Sequence, residues 1–234
     1  MSLANLLNKS DNRALRLDRN SLKDQSTELL RSYIISGRIP PGTKLAEREL
    51  ADLLGVSRMP ARDALMDLER EGLVVSRPNG RYVIELHSQD IAQLFEIRLV
   101  LERLAVSAAA ANHSPQNCAA LRANLAEMAA AIAANDRDGY VRADLEAHQL
   151  IWHQANNPYL LKMLNSIVGP IFMFIFSQAD FHTTWRETLQ LHQELADAIC
   201  AGDAAQAVRS IEAQMQESVD LSYRAFAKSQ GKTS

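Results

Sequence analysis

Residues 45–83, LAERELADLLGVSRMPARDALMDLEREGLVVSRPNGRYV, leave the chain few folding options. Leu50, Leu53 and Leu54 recur at helical spacing, and Gly55 follows them, because glycine takes the left-handed conformation that closes a helix at no steric cost. Ser57 stands where a second helix would be capped, with its hydroxyl expected to accept an orphan backbone N–H of the first turn. Ala61, Leu65 and Leu68 make that helix's apolar side, whereas Arg58, Met59 and Arg62 fall away from it. Gly72 ends the helix. Two alternating runs, 73–77 and 81–85, then flank Pro78-Asn79-Gly80, a strong hairpin signal.

Helix, turn, helix and β-wing is a DNA-reading shape, with the second helix sized for the major groove. The stretch resembles the winged helix-turn-helix of the GntR family of bacterial transcription regulators. The resemblance is carried by Arg48-Glu49-Leu50, Gly55-Val56-Ser57-Arg58, Pro60-Ala61-Arg62, Ala64-Leu65, Leu68-Glu69, Glu71-Gly72-Leu73 and Gly80. It implies DNA contacts from Arg48, Ser57, Arg58 and Arg62, with the wing tip at Gly80 reaching the minor groove. Arg77 and Arg81 converge on the same wing. Met59 faces outward near the start of the reading helix, where it can meet a thymine methyl. Pro60 is tolerated there because its missing N–H is an orphan in the first helical turn anyway.

Charge limits how such a head can work. Residues 1–86 carry 14 basic and 12 acidic side chains, a balance of +2, and the remainder carries −5. A protein that coats nucleic acid would be far more basic. A specific binder touching a few phosphates fits, and it needs two heads, so a homodimer on palindromic operator DNA is expected.

Ahead of the head, residues 1–20 read as a mobile arm. From Ser21, a capping serine with Asp24 three residues on, Leu29, Leu30, Tyr33 and Ile34 predict a helix that backs the reading helices. Ala46 stands where a capping side chain is normally found, so the next helix is expected to begin without one. The head spans 21–86.

From Ser88 the pattern becomes amphipathic helix throughout, with Ser88 as first cap and further helices over 114–135, 137–155, 158–178, 181–201 and 203–228. Short breaks such as Asn156-Asn157-Pro158 predict antiparallel neighbours. The fold class is therefore mainly α: a winged helix-turn-helix with a small β-wing, followed by an all-α antiparallel bundle over 88–229 for effector binding and dimerisation. The bundle resembles the FCD-type domain of the fatty-acid-regulator branch of GntR, through Glu96-Ile97-Arg98, Leu101-Glu102, Asp144 to His148, Asn157-Pro158, His192 and the run 198–203.

Asp144 and His148 lie four apart on one helix, so both point the same way and can share a divalent ion such as Zn²⁺ or Ni²⁺. The resemblance brings His192 in as third ligand. A histidine follows twenty-two residues later in that family, and here the position is Gln214, whose neutral amide is a poor ligand for such ions. Two outcomes stay open: an ion held by Asp144, His148 and His192, or an effector bound by hydrogen bonds alone. Arg98 either clamps a small carboxylate effector or pairs with Glu102, and Asn157 is a second candidate effector contact. Trp152, Phe172, Phe174, Phe176 and Trp185 line a pocket or form plain core. His153 and His182 read as core-edge histidines.

Cys118 and Cys200 lack metal or redox spacing and read as reduced core thiols of a cytoplasmic protein. No signal peptide or membrane span is expected. Nothing points to catalysis, since there is no nucleophile elbow, phosphate loop or carboxylate pair with a placed base. A hydrolytic metal centre fused to a DNA-binding head, and a constitutive DNA-binding dimer without effector, are the rival readings.

Overall fold

The computed structural model describes residues 22–176 and 184–230. The arm over 1–20, Ser21, Gln178, Phe181 and His182 lie outside the described residues. The chain divides into two compact units, Met1–Leu86 and His87–Ser234.

The first unit contains α1 (Leu22–Ile35), β1 (Lys44–Leu45), α2 (Glu47–Leu54), α3 (Arg58–Arg70), β2 (Val74–Arg77) and β3 (Gly80–Val83). α1 and α2 both pack on α3. Leu30, Ile34, Leu50, Leu54, Leu65, Leu68 and Val83 form their shared core, each almost fully buried. Ion pairs brace the outside of the α1–α3 contact, Lys23 to Asp67 at 2.6 Å and Arg31 to Glu71 at 2.7 Å. Gly55 ends α2 in the left-handed conformation (φ 65°), and its N–H bonds the Ala51 carbonyl. Ala46 caps α2 without a side-chain hydrogen bond, as its methyl requires. At α3 the cap position is Ser57, but its hydroxyl makes no capping bond. That corrects the expected bond and leaves the hydroxyl exposed.

The hairpin forms with Arg77 opposite Gly80, leaving a two-residue loop, Pro78-Asn79. A third strand was not expected. Lys44 and Leu45 pair antiparallel with Tyr82 and Arg81, giving the sheet order β1-β3-β2. Two residues carry no readable periodicity, so only the tertiary pairing reveals β1.

The second unit contains α4 (Ser88–Ala111), α5 (Pro115–Ala134), α6 (Arg137–Gln154), α7 (Pro158–Phe176), α8 (Trp185–Cys200) and α9 (Ala204–Gln230). The cap of α4 is His87 rather than Ser88, with the His87 backbone N–H donating to Asp90 at 2.8 Å. Ser114 caps α5 and Asp136 caps α6 through their side chains. α4 packs against α6, α7, α8 and α9. A helix surrounded in this way buries even its charged residues, and Arg98 and Glu102 are 1 % and 0 % exposed.

α7 corrects the expectation that no segment could span a membrane, since it is long and apolar enough to do so. It is apolar on most sides because α4, α6 and α9 all contact it, and more than half of it is buried. A larger correction concerns the thiols. Cys118 and Cys200 are joined in a disulfide, with Cα atoms 5.7 Å apart, where α5 packs on α8.

Candidate functional site

The outer face of the first unit starts in the first turn of α2. Arg48, Ser57, Arg58 and Arg62 are exposed, and Met59 is 67 % exposed. The helical repeat explains this: Ala61, Ala64, Leu65 and Leu68 turn inward, so the residues between them turn out. No other described residue pairs with Arg48, Arg58 or Arg62. The wing arginines differ. Arg81 is half-buried and bonds Glu47 at 2.7 Å and Glu69 at 3.3 Å, tying β3 to α2 and α3. These bonds make Arg81 a strut within the head. Arg77 pairs with Glu85 at 3.0 Å and lies over the Tyr82 ring, partly exposed. Gly80 is exposed at the hairpin tip.

The second unit holds a buried polar cluster. Asp144 and His148 project from α6, one turn apart, and α8 brings in His192. One donor atom from each lies within 4.8 Å of the others. His192 Nε2 is 2.9 Å from Asp144 Oδ1, while its Nδ1 sits 2.9 Å from the Thr188 carbonyl and donates to it. That backbone bond fixes the ring so that Nε2 faces Asp144 and His148. Gln214, from α9, is buried alongside, with its amide nitrogen 2.8 Å from His192 Nε2. The Gln214 side-chain amide oxygen, Oε1, is buried and has no hydrogen-bond partner among the described residues.

Arg98 enters from α4. Its Nε donates to Glu102 at 3.1 Å, and its Nη2 lies 3.2 Å from His148 Nε2. The guanidinium also sits over the Phe172 ring at 5.4 Å. Glu102 accepts a second bond, from the Trp152 indole N–H at 2.8 Å. Of the two expected roles for Arg98, the pairing with Glu102 is present, and Arg98 also lines a cavity of about 20 Å³ with Asp144, His148 and Gln214. That volume accommodates one ion or one water, since a single water-sized probe takes roughly 10–15 Å³. Phe172 and Phe176 line it, whereas Trp152 and Trp185 are buried core. Asn157 is not part of it. Its side-chain oxygen accepts from the N–H groups of Tyr159 and Leu160, so it caps α7. His153 is exposed.

Four lining residues escaped the sequence reading: Ile175, between Phe174 and Phe176, and the polar Thr188, Glu217 and Ser218. Their signal was present. Thr188 lies one turn before His192, and Glu217 and Ser218 lie one turn after Gln214, on the same helical faces.

Burial holds the His148 pKa well below its ordinary 6.5, and the nearby charges of Arg98 and His192 add to this. For His192 burial acts in the same direction, but the charge and hydrogen bond of Asp144 and the Thr188 carbonyl outweigh it and raise the pKa above 6.5. Burial, then the charge of Asp144, pushes the Tyr140 hydroxyl well up. The two histidines impose opposite pH slopes on the stability of the metal-free bundle. Below the unfolded value of 6.5, unfolded His148 takes up a proton that the folded form resists, so stability falls as pH drops. Above that value, folded His192 keeps a proton that the unfolded form loses, so stability falls as pH rises through its folded pKa. Urea melts across pH should therefore show greatest stability near pH 6.5. His148→Gln should remove the acid limb, and an unchanged acid limb in that variant would refute the assignment.

Comparison with known proteins agrees with this architecture. The model for "Bacterial regulatory proteins, gntR family" matches residues 22–84, and the FCD domain model matches residues 93–217. The chain is 30% identical over 189 residues to a probable D-xylose utilization operon transcriptional repressor of Paenarthrobacter nicotinovorans, covering 80% of this chain and 83% of that protein. It is 25% identical over 210 residues to the HTH-type transcriptional regulator McbR of Escherichia coli K12, covering 88% of this chain and 95% of that protein. The solved structure of E. coli McbR/YncC superposes with a TM-score of 0.76 at 26% identity, over 88% of this chain and 99% of that one. A winged head with an outward reading helix, a helical bundle with a buried Asp–His–His cluster, and these relatives lead to one conclusion: the chain belongs to the GntR family of bacterial transcription regulators and carries an FCD domain.

Proposed function

We propose that this regulator is a cytoplasmic homodimeric repressor that binds a palindromic operator through α3 and releases it in response to a small organic acid bound in the bundle. Its sensing half is carried by the buried Asp144–His148–His192 cluster, whose donor atoms lie within 4.8 Å of one another. Burying such groups is costly unless they bind something, and a lone structural ion pair needs only two of them.

The residues present fit a divalent ion. Two imidazoles, one carboxylate, a partnerless amide oxygen on Gln214 and a cavity of about 20 Å³ together suit a single cation. Asp144, His148 and His192 would hold it, with Gln214 beside them. When bound, the ion supplies a positive anchor for an anionic effector. Arg98 adds a permanent cation at the same cavity. Its hydrogen bond to His148 Nε2 competes with an ion for that lone pair, which sets the site's affinity below that of an open histidine. A cavity of this size holds no organic acid, so effector binding requires the surrounding helices to part. That movement is the linkage proposed here: an effector that favours the parted bundle biases the dimer against operator binding.

Pairing is supported by an apolar face on the bundle. Ile97, Val100 and Leu104 on α4 are each more than half exposed, as are Tyr159 and Met163 on α7, and α4 packs against α7. Exposed apolar residues recurring at helical spacing on two adjacent helices fit burial against a second copy.

In the head, Arg48, Ser57, Arg58, Met59 and Arg62 would contact DNA, with Arg77 and Gly80 on the wing. Arg58→Ala should weaken operator binding by about 1–3 kcal/mol and relax the sequence preference, as loss of a base-reading guanidinium does. Arg81→Ala should instead lower the head's melting temperature, because Glu47 and Glu69 lose their shared partner. Fluorescence anisotropy on a labelled operator and thermal melts separate the two. Operator binding unaffected by Arg58→Ala would overturn the role given to that residue.

A further inference from the structure

The chain's two cysteines take no part in the polar cluster, yet the fold joins them across 82 residues. Cys118 is the fourth residue of α5, and Cys200 is the last residue of α8. Their Cα separation of 5.7 Å lies at the usual spacing for a bridge. Packing that does not involve sulfur also holds these helix ends together. Leu121 on α5 and Leu195 and Ile199 on α8 are buried, and the two helices pack on each other. Beyond α8, Gly202 approaches His113 so closely that a Cβ there would meet the imidazole at 2.8 Å. The reduced thiols would therefore stay side by side, and closing or opening the bond needs little rearrangement.

We propose that Cys118 and Cys200 form a reversible redox modification site, closed by a peroxide and opened by a small thiol such as glutathione. This rests on the reading of the chain as an operator-binding regulator for one point only, the compartment. A protein that works on bacterial chromosomal DNA meets a reducing pool, where disulfides are typically transient and sensory. Cys200 is partly exposed and Cys118 is buried, so Cys200 meets the oxidant. Its thiolate attacks one peroxide oxygen, forming a sulfenic acid and releasing water once the leaving hydroxide is protonated. The Cys118 thiol then attacks the Cys200 sulfur and expels a second water, so two thiols and one hydrogen peroxide give one disulfide and two waters. Glutathione reverses this by two successive exchanges that yield oxidised glutathione. The bond fastens the end of α8, the helix that also carries His192 eight residues earlier, so the oxidised bundle holds its buried cluster more rigidly.

The test uses the full-length protein equilibrated against a series of reduced-to-oxidised glutathione ratios. Alkylation and mass spectrometry count the thiols, and melts report stability. The expected result is a smooth passage between two free thiols and one intramolecular bond within the ratios found in bacterial cytosol. The oxidised form should melt about 10 °C higher, as loop closure on this scale implies. Cys118→Ser and Cys200→Ser should each melt like the reduced wild type and ignore the glutathione ratio. A bond that survives every ratio, thiols that hydrogen peroxide leaves unjoined, or bonds formed only between chains would each overturn the proposal. The thiol count on the wild-type chain does not depend on the variants folding. No readout uses operator binding, so failure here and failure of the DNA-binding reading are distinguishable.

Discussion

Replacing Glu102 with leucine should destabilise the bundle by about 3–5 kcal/mol, the cost of leaving a buried charge without its partner. Glu102 is fully buried and accepts from Arg98 Nε at 3.1 Å and from the Trp152 indole at 2.8 Å. Its removal strands a guanidinium that is itself 1 % exposed, together with one buried N–H donor. Arg98 also donates towards His148, but a neutral imidazole does not balance a full positive charge. The paired replacement Arg98→Met with Glu102→Leu should recover most of the loss, because two apolar side chains of similar bulk need no partners. The double variant should nonetheless lose any anionic effector that Arg98 holds. Urea denaturation followed by circular dichroism supplies the comparison. A single-variant loss below about 1 kcal/mol would mean that the pair contributes no more than a surface ion pair does.

The second large effect concerns the ion. Asp144→Ala should reduce divalent-metal affinity by at least about 100-fold, since loss of an outer-shell partner alone costs about 10–100-fold. Gln214→His should act in the opposite direction for Zn²⁺ and Ni²⁺, by replacing an amide with a strong nitrogen donor. Calorimetric titration with each metal alone, and metal analysis of the purified protein, provide readouts that involve no operator. If neither the wild type nor Gln214→His takes up an equivalent of metal, the proposed ion is overturned.

Much of this molecule was legible in its residues. The reading head announced itself because its elements are short-range. Leucine spacing, Gly55, Gly72 and the Pro78-Asn79-Gly80 turn each act within one or two turns of chain. The helices after His87 followed from amphipathic spacing, and where both ends lie among the described residues they differ by only a few residues. The pairing of Asp144 with His148 was likewise local, four residues on one helix. Local rules failed where the partner was remote or the choice lay between partners. Ser57 holds the cap position without using its hydroxyl as a cap, and Asn157, read as an effector contact, caps α7.

What the residues determined alone was the order and kind of the elements other than β1, the outward face of α3 and the family that these define, because periodicity and turn chemistry depend only on near neighbours. Tertiary structure decided which polar groups are already engaged. Arg58 and Arg81 look alike in sequence, yet Arg58 is exposed while Arg81 is bound by Glu47, 34 residues away. Arg98 is committed to Glu102 and to His148, 50 residues on. Cys118 finds Cys200 across 82 residues. Coulombic pairing and disulfide geometry act through space over a few ångströms, and only the packing of α2, α3, α4, α5, α6 and α8 brings those groups within that range.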